Sequence, residues 1–112
     1  MIVLSWPPRE LHPNARPHFH AKAQATKAYR IAATYTALAE GPQIETGKPL
    51  SAEIDFYPPD KRRRDLDGCL SAVKAGLDGI ADAYQINDFN INPITIRRCE
   101  PVKGGRVEVR IA

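Results

Sequence analysis

Proline divides this sequence into segments, and the segments leave few ways for the chain to fold. The ring fixes φ and removes a backbone donor, so a proline pair ends whatever regular element precedes it. Pro7-Pro8 ends a short apolar run, Ile2 to Trp6, which reads as an opening strand. More prolines follow up to Pro17, interleaved with Arg9, His12, Asn14, Arg16 and His18, and this stretch reads as an ordered or extended loop. Pro58-Pro59 ends a second run, in which Ala52, Ile54 and Phe56 alternate with Glu53, Asp55 and Tyr57 as in a half-buried strand. Between these punctuated stretches, His20 to Glu40 holds neither Pro nor Gly. Ala21, Ala25, Ala28, Tyr29, Ala32, Tyr35 and Leu38 recur there at three- and four-residue steps, which predicts a helix with these residues on its apolar face. Gly41-Pro42 stops it.

A second helix is predicted from about Leu66 to Tyr84, where Leu66, Leu70, Val73, Leu77, Ile80 and Tyr84 trace an apolar stripe. Gly68, Gly76 and Gly79 interrupt it, each at roughly 1 kcal/mol relative to Ala. Three glycines in one helix point to another element passing close along that side. The tail holds two strand candidates, Ile94 to Arg98 and Arg106 to Ile111, and Gly104-Gly105 between them suits a hairpin turn. The order β-α-β-α-β-β specifies an α+β domain, a small mixed β-sheet with two packed helices. At 112 residues the chain supports one core, so residues 1–112 are read as a single domain.

Composition excludes more than it identifies. Lys and Arg outnumber Asp and Glu by 16 to 13, an excess of +3 that is too mild to indicate nucleic acid unless the charge is clustered. Cys69 and Cys99 have neither CxxC spacing nor a His partner at zinc-finger distance, and read as packing thiols in a reducing compartment. No segment approaches about 18 consecutive apolar residues, and no signal-peptide pattern opens the chain. A cytoplasmic protein with no membrane partner is the expectation.

The charge is clustered in Lys61-Arg62-Arg63-Arg64-Asp65-Leu66-Asp67. One reading is a helix start whose acids are favoured by the helix dipole, preceded by a solvated basic loop. The other is phosphodiester hydrolysis. Lys61, Arg62, Arg63 and Arg64 would neutralise backbone phosphates. Asp65 and Asp67 would hold Mg²⁺, a hard cation that takes oxygen ligands and activates water against phosphate. On the second helix, Asp67, Ser71, Lys74 and Asp78 fall within about 60° of one another. Lys74 then either steadies charge on the phosphate or forms an ordinary i,i+4 pair with Asp78. Asp88, in the polar turn Asn87-Asp88, offers a third acid, although such pairs usually just make turns. Asn14, Arg16, His18 and His20 either reach phosphates or hydrogen-bond their proline-rich loop in place. Metal ligation by His12, His18 and His20 is disfavoured, because Mg²⁺ prefers oxygen and no zinc spacing is present.

Taken together, these residues resemble the RusA family of Holliday junction resolvases, particularly its phage and prophage members. The resemblance runs from Trp6-Pro7-Pro8 and Asn14 through Arg62-Arg63-Arg64-Asp65-Leu66-Asp67 to Gly76-Leu77-Asp78-Gly79-Ile80. It continues through Asn87-Asp88 to Lys103-Gly104-Gly105-Arg106. It implies a homodimer that nicks four-way junction DNA symmetrically with Mg²⁺ and no organic cofactor. The family's three essential aspartates map onto Asp65, Asp67 and Asp88, and Lys103 and Arg106 join the DNA-binding set. The chain departs from the family pattern at Gly68, where the motif has Asn, and at Ser71, where the essential lysine stands. Lys74, one turn further along the same face, is the candidate substitute. A DNA-binding protein without catalysis on the same scaffold is the alternative. An RNA-directed nuclease is disfavoured because no aromatic platform for stacked bases is evident.

Overall fold

The structure is a computed structural model that describes residues 1–45, 47–87 and 90–112. Strand β1 spans Ile2–Ser5, and a single 3-10 turn, Arg9–Leu11, follows in the proline-rich loop. Helix α1 spans Phe19–Glu40, strand β2 Leu50–Tyr57, helix α2 Leu66–Tyr84, strand β3 Ile91–Arg98 and strand β4 Arg106–Ile111. The α+β class and the element order are those read from the sequence.

The alternation in β2 decides the layering. Ala52, Ile54 and Phe56 are buried, as are Ile2, Leu4, Val107, Val109 and Ile111 of its neighbours, and together they form the sheet side of the core. Tyr29, Ala33 and Ala37 of α1 and Cys69, Val73 and Ile80 of α2 complete it. The strands run in the order β1-β4-β2-β3. β4 is antiparallel to both β1 and β2, whereas β3 lies parallel to β2, so α2 is the crossover between two parallel neighbours.

Two glycines of α2 explain how closely the helices approach. A Cβ on Gly76 would meet the Tyr29 ring at 2.8 Å and Leu4 at 3.0 Å, and one on Gly79 would run into the Arg30 carbonyl. α1 therefore crosses α2 at these points. Thr34 donates to the Gly79 carbonyl at 2.9 Å, and Arg30 grips Asp82 through two bonds of 2.7 and 2.9 Å. Gly68 is different: its nearest neighbour would be Pro13 at 3.9 Å, an ordinary contact.

Three sequence expectations are corrected. β3 and β4 do not form a hairpin: both pair with β2, on opposite sides of it. Gly104 and Gly105, at φ of 78° and 68°, form a turn closed by the Gly105 amide on the Val102 carbonyl at 2.9 Å. That turn belongs to a loop passing over the end of β2, anchored by Cys99 to Phe56 and by Val102 to Pro58. β3 also begins earlier than Ile94, at Ile91. It tolerates Pro93 because it is an edge strand, and its register against β2 slips beside that residue. Finally, the apolar face assigned to α1 is rotated. Tyr29 points inward, but Ala28, Ala32, Tyr35 and Leu38 are exposed, and the core takes Ala33 and Ala37 instead.

Candidate active site

The run at 61–67 folds as a loop that enters α2, and its two acids are lightly held. Asp65 occupies the N-cap with extended backbone, and its carbonyl accepts the first helical bond, from Cys69 at 3.0 Å. An N-cap Asp usually turns its carboxylate onto the amide two or three residues on. Here the carboxylate makes no capping bond, and the Gly68 amide donates instead to Asp67 Oδ1 at 3.0 Å. Among the described residues Asp65 also meets Arg63, at 4.0 Å between side chains that are 75% and 95% exposed, a pair that contributes little.

Asp65 and Asp67 share a cleft of ≈330 Å³ with Arg63, Arg64, His12 and Asn14. The proline-rich loop thus brings His12 and Asn14, some fifty residues away in sequence, against the acidic start of α2. Cys69 lies at the same cleft but is buried, and burial pushes its thiol up, so it stays protonated and is no nucleophile. Beside this cleft runs a wider groove of ≈800 Å³ whose charged lining is all arginine: Arg9, Arg16, Arg62, Arg63 and Arg64. On the other side of the same ridge, Lys61 and Arg98 line a depression with Asp60 and Asp65. Three concavities meet at Arg63 and Arg64.

Arg64 differs from its neighbours in the run. Its side chain is only 19% exposed and turns back into the protein. Nη1 donates to Asp60 Oδ1 at 2.8 Å, and the guanidinium lies 5.5 Å from the Trp6 ring centroid. Hydrogen bonds from Arg64 and from the Arg62 amide hold the Asp60 carboxyl at about 2. Arg62 and Arg63 remain exposed.

Other candidates are dispersed. Lys74 lies two turns beyond Asp67, roughly 10 Å along the helix axis, outside the lining of the cleft, with Nζ 2.6 Å from Asp78 Oδ1. Lys103 is exposed in the loop after β3. Arg106, at the start of β4, donates to Glu108 at 2.7 Å and stacks 4.2 Å above Tyr57, and it is not part of the lining of the arginine groove. His18 caps α1, accepting from the His20 amide at 3.3 Å, so these two histidines serve their own helix end. Asp88 lies outside the described residues. Among the described residues, no group of three or more His, Cys, Asp and Glu converges as a metal cage, and no helix is long and apolar enough to cross a membrane.

Sequence reasoning did not assign Arg9, Arg98 or His12 to the site. Arg9 and Arg98 carried no signal beyond a lone charge. For His12 a signal existed in its place beside Asn14, four residues after a rigid proline pair.

The fold is thus a small α+β domain whose exposed carboxylates Asp65 and Asp67 sit within an arginine-lined surface. Over 117 residues the chain is 31% identical to the crossover junction endodeoxyribonuclease RusA of Enterobacteria phage 82, covering 98% of this chain and 91% of that protein. The RusA protein of Shigella sonnei matches to the same extent. An uncharacterised protein of Xylella fastidiosa is 37% identical over 90 residues, 78% of this chain and 59% of that protein. The chain belongs to the RusA family of crossover junction endodeoxyribonucleases. No family model matches it.

Proposed function

We propose that this endodeoxyribonuclease resolves four-way DNA junctions as a Mg²⁺-dependent homodimer, with one phosphodiester cut in the Asp65–Asp67 cleft of each protomer. The observation that carries the reading is the state of the two carboxylates. They share one cleft, they are exposed, and among the described residues neither is consumed by a close ion pair. A purely binding surface gains nothing from such acids, since each repels the phosphate backbone.

The donor set suits a hard divalent ion: carboxylate oxygens with water access. Asp65 and Asp67 would hold the ion, with Asp88 as the third acid by family resemblance. When bound, the ion supplies charge against the phosphate oxygens and acidifies a coordinated water. The chain's own side chains do the rest. Arg62 and Arg63 are exposed and reach phosphates on either side of the cleft, while Arg9 and Arg16 extend the track along the wider groove. Asn14 and His12 form the opposite wall and restrict where a strand can lie. Lys74 as the stand-in for the family lysine is part of the same reading. In that role it would leave Asp78 for the substrate.

The homodimer is the counterpart of symmetric cutting: two symmetric cuts, each made in an Asp65–Asp67 cleft, need two copies related by a two-fold axis. The outward side of α1 supports a second copy, because Ile31, Tyr35 and Leu38 are 45%, 69% and 63% exposed. Tyr35→Glu should shift sedimentation from dimer to monomer and abolish paired cutting. A variant that stays dimeric would move the interface elsewhere.

The test of the activity is to compare nicking of a synthetic four-way junction with nicking of matched linear duplex, with and without Mg²⁺. Preferential, ion-dependent cutting of the junction is expected. Equal rates on both substrates would sink the resolvase reading, and no cutting of either would favour a non-catalytic binder.

A further inference from the structure

We propose that Trp6 is a positioning residue for the nuclease site, acting through the two side chains that flank its indole, Arg64 and His12. This rests on the reading of the Asp65–Asp67 cleft as the catalytic centre.

The Trp6 ring meets Phe56 edge-on, with centroids 6.3 Å apart and planes at 82°, and Phe56 is among the most deeply buried residues of the sheet. The indole is therefore seated on the core. His12 stacks on it at 6.1 Å and 26°, and the Arg64 guanidinium sits 5.5 Å from its centroid. His12 and Arg64 come from different loops, and both line the carboxylate cleft. One rigid aromatic residue thus joins two sides of the site.

Each flanking residue is fixed a second time, as a hinge needs two points. His12 Nε2 lies 3.0 Å from the Pro7 carbonyl. Arg64 donates to Asp60, and its own carbonyl accepts from Arg98 Nη1 at 2.8 Å. Arg64 is the residue immediately before Asp65. Locking its backbone sets the entry into α2 and the place of the N-cap carboxylate, which has no capping bond of its own to hold it. The attraction between guanidinium and indole needs the π face, so an aliphatic residue of similar bulk fills the space without holding Arg64.

The experiment compares Trp6→Phe, which keeps an aromatic face, with Trp6→Leu, which keeps apolar bulk alone. Thermal midpoints, junction affinity without divalent ion, and single-turnover cleavage at saturating protein are measured for both. Carboxyl NMR of Asp60 and Asp65 is recorded in the ion-free, DNA-free proteins. For Trp6→Leu, junction affinity should stay within about threefold while cleavage falls at least about tenfold, the scale of a site displaced by a fraction of an ångström. Trp6→Phe should recover most of the rate. The Asp60 and Asp65 signals should move in Trp6→Leu and stay near the parent in Trp6→Phe.

Full cleavage by folded Trp6→Leu would overturn the proposal. So would equal losses in both variants that track their thermal midpoints, because Trp6 would then only fill the core. If Trp6→Leu does not fold, Asp60→Asn loosens Arg64 from the solvent side and should reproduce the same split between binding and cleavage; unchanged cleavage there also overturns it. If the parent cuts no DNA, the reading of the cleft fails, and the NMR comparison still decides whether Trp6 holds Arg64 and Asp65 in place.

Discussion

Arginine and carboxylate meet on the outer face of the sheet and again at the start of α2, and these two meetings differ. On the sheet, Asp55 is 6% exposed and held from both sides, by Arg97 at 2.8 Å and Arg110 at 2.7 Å. Both arginines also reach Glu53, at 3.2 and 3.3 Å, and Arg106 closes on Glu108 at 2.7 Å. Burial alone would push the Asp55 carboxyl up, but hydrogen bonds from Arg110 and Arg97 outweigh it and hold the group below the usual carboxylate range. Positive and negative charges balance there, with Arg97, Arg106 and Arg110 set against Glu53, Asp55 and Glu108. At the start of α2 the same residue types are left exposed, with Arg63 and Asp65 4.0 Å apart. Paired charge fixes the sheet. Exposed, loosely paired charge such as that of Arg63 and Asp65 is available to phosphate and to an ion.

Substitutions can break this comparison from either side. Asp65→Asn should have the largest effect, lowering junction cleavage at least about a hundredfold, the scale on which one electrostatic group in an active site acts. Its thermal midpoint should barely move, and a large destabilisation would mean that Asp65 is structural after all. Asp55→Asn should do the opposite, costing roughly 1–3 kcal/mol by replacing the charge-assisted bonds of a buried carboxylate with those of a neutral amide, with cleavage retained below the unfolding transition. A depressed carboxyl contributes stability that is fully present above its unfolded pKa and is lost as pH falls through its lower folded value. The parent should therefore lose stability on acidification more steeply than Asp55→Asn, which urea unfolding at a series of pH values would show.

Arg63→Ala should weaken junction binding and reduce the slope of log K against log salt by about 0.9, one phosphate contact. An unchanged slope would place Arg63 outside the interface. The smallest effect is expected at Gly68. With only an ordinary contact to Pro13 where a Cβ would go, Gly68→Ala should stabilise the helix by up to about 1 kcal/mol. Gly79→Ala, facing the Arg30 carbonyl, should destabilise the protein, and differential scanning calorimetry of the two variants separates these cases.

The legible parts of the fold were those written in local periodicity. α2 announces itself because Leu66, Val73 and Ile80 recur on one side, and β2 because Ile54 and Phe56 alternate with Glu53 and Asp55. α1 was legible as a helix but not in orientation. Its alanines lie all round it, and Tyr29, Tyr35 and Leu38 give three large apolar candidates, of which only Tyr29 is buried. Gly104-Gly105 marked a turn but could not say which strand lies across it, because pairing with β2 is a choice made by the whole sheet. At the candidate site, the meeting of Asp65, Asp67 and Arg63 in one cleft was legible because the three are neighbours in sequence. The inward turn of Arg64 was not, since it depends on Trp6, far away in the chain. The placement of His12 was hidden for the same reason.

The central claim is that the exposed carboxylates at the start of α2 serve chemistry and not affinity. Asp67→Asn tests it most directly, with binding and cleavage of one synthetic four-way junction measured side by side in Mg²⁺. The expected result is cleavage lost while the junction is bound as tightly as by the parent or more tightly, because a repulsive charge has been removed. Cleavage at the parental rate, or loss of cleavage only in proportion to loss of binding, would contradict the account.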